Sequence, residues 1–165
     1  LTDYLSREEL AVRNGVPTAE GAIEAAMAAT DVTLCGTPCL VIGFGRIGKL
    51  LAHRLRGLGA EVTVSARRLD DLAWIDAFGY RGLRTNRLAG RLGGFRGVFN
   101  TVPHILLTEE LLRGLLASQP GFDRAAAEAR GLACVSALGL PGKAAPETAA
   151  RAIKLTLEKI WEEEA

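Results

Sequence analysis

Hydrophobic and polar positions along this chain follow two periods. Apolar residues run together over Cys39-Leu40-Val41-Ile42, and β-branched residues gather in Glu61–Ala66 and Val98–Val102. Short runs of that kind predict buried strands. Between them the spacing changes to three and four. Leu50, Leu51 and Leu55 share the turns of Lys49–Leu58 with His53 and Arg54, and Leu72, Ile75 and Phe78 mark one face of Leu69–Phe78. Those spacings predict amphipathic helices.

The same reading extends to both ends. Leu1–Asn14, with Leu5, Leu10 and Val12 as its apolar points, predicts a helix started by Ser6 with Glu9 three residues on, the spacing of a capping box. Gly15-Val16-Pro17 predicts a break, and Thr18 is the natural cap of a second, alanine-rich helix over Thr18–Thr30 whose small face suits close packing. Tyr80–Leu83 is a poor strand candidate, Leu88–Leu92 a helical turn, and Gly94–Gly97 a loop. Helices are expected over Leu107–Leu116 and Asp123–Arg130, then a short fifth strand over Leu132–Ser136. A doubly wound sheet would place a strand between those two helices. Either the chain lacks it or a flexible stretch near Gly114 to Leu116 is absent from the sequence. Gly139–Lys143 reads as a tight loop, and Ala145–Glu164 as a closing helix with Pro146 in its first turn and Ile153, Leu157, Ile160 and Trp161 as its apolar residues.

The junction of the first strand with its helix carries the chemistry. Gly43-Phe44-Gly45-Arg46-Ile47-Gly48 is G-x-G-x-x-G placed between a strand and a helix, the context in which the pattern points to a dinucleotide. Gly43 allows the tight turn, Gly45 lets backbone N–H groups approach a pyrophosphate, and Gly48 lets the helix pack closely on its strand. The helix N-terminus then faces the phosphates. With strand Glu61–Ala66 this makes a βαβ unit, whose strands should be parallel with a right-handed crossover. The fold class expected is α/β, a doubly wound, mostly parallel sheet in three α/β/α layers of the Rossmann type. Residues 1–165 are expected to form one dinucleotide-binding domain, with 1–36 and 145–165 as flanking helices.

Composition narrows the partners. Twenty Lys and Arg against 19 Asp and Glu give a net charge of +1, no case for nucleic acid or an anionic membrane. No apolar run reaches 18 residues and no basic-then-apolar leader opens the chain, so a cytoplasmic protein without a membrane span is expected. Leu1 is not an initiator methionine, which suggests a fragment. Cys35, Cys39 and Cys134 make neither an even disulfide set nor a metal-ligand pair, and are expected to be free thiols with no metal bound.

Cofactor choice is read at the end of the second strand. An NAD site commonly carries Asp or Glu there, about twenty residues past the glycines. Here the sequence is Ser65-Ala66-Arg67-Arg68, whose hydroxyl and guanidinium groups can donate to a 2′-phosphate, so NADP(H) is expected. Thr101, Val102 and Pro103 follow the fourth strand, on the side where open sheets bind ligands, and are expected along the nicotinamide path. Asn100 can donate and accept toward a substrate. No proton-transfer residue is identified: His104 and Lys143 are the candidates present, with a domain absent from this chain as the alternative source, and Lys143 also suits a substrate carboxylate or a phosphate.

A family resemblance rests on longer runs. Asp3-Tyr4, Arg7–Asn14, Val16–Ile23, Val41–Arg46, Phe99–Pro103, Leu107–Glu110 and Gly139–Lys143 with Ala145-Pro146 and Thr148 occur in order, and the chain is similar to the dipicolinate synthase A-subunit family through them. The resemblance implies a sporulation enzyme that oxidises a tetrahydro- or dihydrodipicolinate-type dicarboxylate to dipicolinate with a pyridine nucleotide. It implies that the partner is a flavoprotein-like B subunit. It also implies an N-terminal cleft domain, of the kind seen in 2-hydroxyacid dehydrogenases, that is absent here. A homo-oligomer is expected. The chain departs from the family pattern before Leu116-Ala117-Ser118, where a strand ending near an Asp is missing, and after Pro120-Gly121, where a second glycine is missing. A 2-hydroxyacid-type dehydrogenase and a non-catalytic NADPH-sensing module are the rival readings.

Overall fold

The structure, a computed structural model, describes residues 3–88, 91–102 and 139–164 in full, with the backbone of 117–118 and 134–135. Four strands follow the predicted runs closely: β1 (Pro38–Ile42), β2 (Glu61–Ala66), β3 (Arg81–Arg84) and β4 (Gly97–Asn100). Two short strands, β5 (Ala117–Ser118) and β6 (Cys134–Val135), complete a six-stranded sheet of order β3-β2-β1-β4-β5-β6 in which every pairing is parallel. This order, reversing direction between β1 and β4, is that of a doubly wound dinucleotide fold.

The expected fold class is therefore observed, with two corrections in the sheet. A strand does stand at Ala117–Ser118, between the two expected helices, and the expected fifth strand at Leu132–Ser136 is the sixth, pairing through Cys134–Val135. The helices expected over Leu107–Leu116 and Asp123–Arg130 lie outside the described residues.

The first helix corrects a larger expectation. In place of two helices broken at Gly15-Val16-Pro17 there is a 3-10 turn at Tyr4–Ser6 and one continuous helix, α1 (Glu8–Ala28), running through Pro17. Ser6 and Thr18 cap nothing: Asp3 accepts from the Leu5 amide at 3.0 Å, and Thr18 Oγ1 donates back to the Asn14 carbonyl at 2.6 Å. Packing explains the continuity. Gly15, Pro17, Ala19, Ala22 and Ile23 are all buried, and α1 lies against α2 (Arg46–Gly57), α4 (Leu140–Ala144) and α5 (Pro146–Glu164). A Cβ on Gly15 would come within 2.8 Å of Leu50 Cδ1, and one on Gly21 within 2.8 Å of Ala144 Cβ. Tertiary contact thus overrides the local penalties of glycine and proline, about 1 and 3 kcal/mol.

One face of the sheet carries Cys39, Val41, Val62, Val64 and Phe99 into a core shared with Leu51 and Leu55 of α2, Ile23 of α1 and Ile75 of α3 (Leu69–Ala77). The strand period of two turns Leu40, Ile42, Thr63, Ser65 and Asn100 to the other face, where all five are buried. Burial pushes the Cys39 thiol up to about 11, so this free cysteine stays protonated at neutral pH, whereas Cys35 is exposed. Residues 139–143, expected as a loop, instead enter the short helix α4. The closing helix also turns differently from expectation. Ala149, Ala152, Thr156 and Ile160 form its buried side, while Leu157 and Trp161 face out, Trp161 being 80 % exposed. Small residues at Ala149, Ala152 and Thr156 let the first part of α5 approach closely, and Ile160 fills the space further along. No described helix is long and apolar enough to cross a membrane.

Candidate dinucleotide site

Beyond the carboxyl ends of β1, β2 and β4 lies a cleft of about 500 Å³. It is bordered by Gly43, Phe44 and Gly45 on one side, by Ala66, Arg67 and Arg68 on another, and by Thr101 and Val102 on a third. Three stretches far apart in sequence meet because β1 pairs with both β2 and β4.

The glycine turn is fixed by its neighbours. The Gly43 amide donates to the Ser65 carbonyl at 2.9 Å, and Gly43 takes φ = +101°, a conformation side chains rarely permit. A Cβ there would meet Thr101 Oγ1 and Val102 Cγ1, both at 2.8 Å. At Gly48 a Cβ would stand 2.1 Å from the Gly43 carbonyl oxygen, so helix α2 rests directly on the turn. Gly45 has nothing within 4 Å of its Cβ position: the space before it is the open cleft. Helix α2 begins at Gly45 with no side-chain cap and no acidic residue in its first turn. Its first N–H groups therefore keep their capacity for an anion.

The other walls are polar. Thr101 donates to the Ile42 carbonyl twice, from its amide at 3.0 Å and from Oγ1 at 2.9 Å. Its hydroxyl is thereby committed inside the protein, wedged beneath the glycine turn. Asn100 is buried, its Oδ1 accepts from the Val102 amide at 3.2 Å, and its Nδ2 has no partner. Arg67 and Arg68 are both exposed at the cleft. Arg68 is held by Asp70, Nε to Oδ1 at 3.1 Å and Nη2 to Oδ2 at closer range. This contact raises the Arg68 pKa and lowers that of Asp70. No carboxylate among the described residues engages Arg67.

Not every residue expected at the site lies on the cleft. Ser65 is fully buried on the opposite sheet face with its Oγ unpartnered, so its hydroxyl is not presented beside Arg67. Arg46 turns away to Glu8 of α1, Nη1 to Oε2 at 2.9 Å. Ile47 and Gly48 belong to the first turn of α2, behind the glycine bend. Lys143 is exposed on α4 and does not border the cleft. Pro103 and His104 lie outside the described residues. In the other direction, Asp71 and Thr85 border the cleft and escaped sequence reading. Asp71 sits one turn into α3, past the end of β2 where a ribose-binding carboxylate is sought, and Thr85 follows a strand that reads poorly. Among the described residues no group of three His, Cys, Asp or Glu could hold a metal.

No family model matches the chain. The A subunit of dipicolinate synthase from Bacillus subtilis (strain 168) is 34 % identical to it over 172 aligned positions, covering 99 % of this chain and 58 % of that protein. The crystal structure of the same subunit from Bacillus halodurans superposes with a TM-score of 0.92 at 34 % identity, covering 97 % of this chain and 58 % of the other. The corresponding crystal structure from Bacillus subtilis gives 0.94 at 32 % identity, with 99 % and 58 % covered. The chain thus spans somewhat over half the length of these relatives. Over nearly its whole length it is a homologue of the dipicolinate synthase A subunit.

Proposed function

We propose that this chain is the NADP(H)-binding domain of an oxidoreductase acting on a cyclic dicarboxylate of the tetrahydro- or dihydrodipicolinate type, with dipicolinate as product in sporulating cells. The observation that supports it best is the convergence of an open glycine turn, an uncapped helix N-terminus and two arginines on one cleft. Likeness to the dipicolinate synthase A subunit supports the dipicolinate-type substrate class; a B-subunit partner, a cytoplasmic setting and a homo-oligomer are part of the same proposal.

Backbone N–H groups of Phe44 and Gly45, which border the cleft, would hold the pyrophosphate, aided by the positive end of α2. Arg67 would donate to the 2′-phosphate in its planar fork geometry, with Arg68 beside it once its fork leaves Asp70. That exchange is cheap because the pair is exposed. Thr101 and Val102 line the far wall, toward the nicotinamide. When bound, the nicotinamide takes up a hydride, the two electrons of a substrate C–H bond, while a proton leaves to a base. Asn100 holds the Val102 amide and so the shape of that wall, and its free Nδ2 is a buried donor near the reacting end.

Asp71 favours a second reading. A carboxylate on the cleft can accept from ribose hydroxyls, as in NAD sites, and it tempers the positive charge of the arginines. Titration of the chain with both reduced cofactors decides between them. NADPH should bind at least about tenfold more tightly than NADH, Arg67→Gln should abolish that preference, and Asp71→Asn should widen it. Tighter binding of NADH would overturn the NADP assignment. The reaction itself is tested with the full-length protein, NADP, a fresh dihydrodipicolinate precursor and the B subunit. If no dipicolinate absorbance develops while the cofactor binds, the substrate assignment is wrong.

A further inference from the structure

From Ala77 to Thr108 the sequence contains no Asp or Glu, yet Arg81, Arg84, Arg87, Arg91 and Arg96 fall in that stretch of a chain with nearly balanced charge. All five are exposed, and none is paired with a carboxylate among the described residues. The dinucleotide cleft uses none of them as a lining residue.

Two of the five border a second cleft of about 520 Å³. It opens at the amino-terminal ends of β2 and β3, the opposite end of the sheet from the dinucleotide. These strands, of six and four residues, put about 13–20 Å between the two ends. Its floor includes Thr63, which is 4 % exposed and whose hydroxyl forms no hydrogen bond. Leu83 and Phe95 make apolar walls, and Arg81 and Arg91 stand on the rim. Glu61 also borders the cleft, without an ion pair to either arginine. The Thr63 hydroxyl is not sealed from solvent, and it keeps its donor and acceptor capacity for whatever enters the cleft. Free guanidinium groups beside apolar walls are the usual means of holding a carboxylate or phosphate by charge-assisted hydrogen bonds. An apolar recess with a few convergent polar groups is what small-molecule sites look like.

We propose that this cleft binds a small organic anion, a carboxylate or phosphate group on an apolar body. The anionic oxygens sit between Arg81 and Arg91 and accept from the Thr63 hydroxyl, while the body rests against Leu83 and Phe95. Glu61 limits the site to compact anions by repelling further negative charge.

The test is a titration of the ¹⁵N-labelled chain, followed by amide shifts, with benzene-1,3-dicarboxylate, phenyl phosphate and inorganic phosphate. At least one of the two aromatic probes should shift the amides of Arg81–Leu83 and Arg91–Phe95, and the stronger of them identifies carboxylate or phosphate as the preferred group. Inorganic phosphate, lacking the body, should bind about tenfold more weakly or not at all. Arg81→Gln and Arg91→Gln should each weaken the better probe about fivefold or more, and Thr63→Val should weaken it less. NADPH affinity should be unchanged in all three variants, which separates this site from the first whatever the outcome there. Absence of shifts at these amides up to about 10 mM probe would overturn the proposal. So would shifts that persist in both arginine variants. Self-association of those variants without probe binding would assign the arginines to guarding the edge strand β3 instead, and would equally overturn it.

Discussion

A methyl group at Gly48 would lie 2.1 Å from the Gly43 carbonyl oxygen, and that atom is backbone with no freedom to yield. Gly48→Ala should therefore push α2 off β1, destabilise the chain by about 2–3 kcal/mol in urea unfolding, and weaken dinucleotide binding with it. Thr101 acts on the same turn from the other side, since its hydroxyl fills the space left by Gly43 and Gly48 and donates to Ile42. Thr101→Val should lower NADPH affinity about tenfold, and Thr101→Ser, which keeps the hydroxyl, should restore it to within about twofold. Equal affinity in all three proteins would mean the hydroxyl does not set the turn. The three glycines were legible in the sequence because each answers a backbone demand visible in the motif. Ser65 was misread because the motif counts residues from the glycines without saying which face of β2 each occupies. Strand alternation sends Ala66 toward the cleft side and Ser65 to the other face.

Among the elements, α1 shows where local rules stop. Gly15 and Pro17 carry strong breaker signals, yet both are buried within one helix whose small face admits α2 and α4. Two substitutions in that face should behave differently. At Gly15 the added Cβ meets the tip of the flexible Leu50 side chain, so Gly15→Ala should be near neutral, the gain in helix propensity of about 1 kcal/mol offsetting a rotamer change. At Gly21 it meets the Cβ of Ala144, which cannot rotate away, so Gly21→Ala should cost about 1–2 kcal/mol by the same unfolding measurement. Strands β1, β2 and β4 were legible because their apolar runs are buried on both faces. β5 was not, for two residues form too short a run to show any period.

At the scale of the molecule, the first and last elements are tied by an ion pair. Arg7 donates to Glu163 through two bonds of 2.8 and 2.9 Å and also to Glu9. The Arg7 hydrogen bond holds the Glu163 carboxyl below its ordinary value of 4.5. For Glu9 the larger cause is a backbone hydrogen bond, with Arg7 second. Carboxyls lowered in the folded state contribute stability that is complete above the ordinary value and is lost as pH falls through the lowered one. Thermal unfolding should thus be insensitive to these groups near neutrality and fall off below about pH 4.5. Glu163→Gln should remove part of that fall and only a little stability at pH 7, because the pair is exposed.

The partners of this pair are 156 positions apart along the chain. Contacts so distant in sequence must wait for the largest loop to close, so they form after the more local parts of the fold. Helix α5 should consequently dock late, with φ-values near zero at Ala152 and Ile160 when measured against α2. A circular permutant joining residues 3 and 164 by a short linker makes these contacts local. It should unfold more slowly with little change in its folding rate, as stopped-flow chevrons would register.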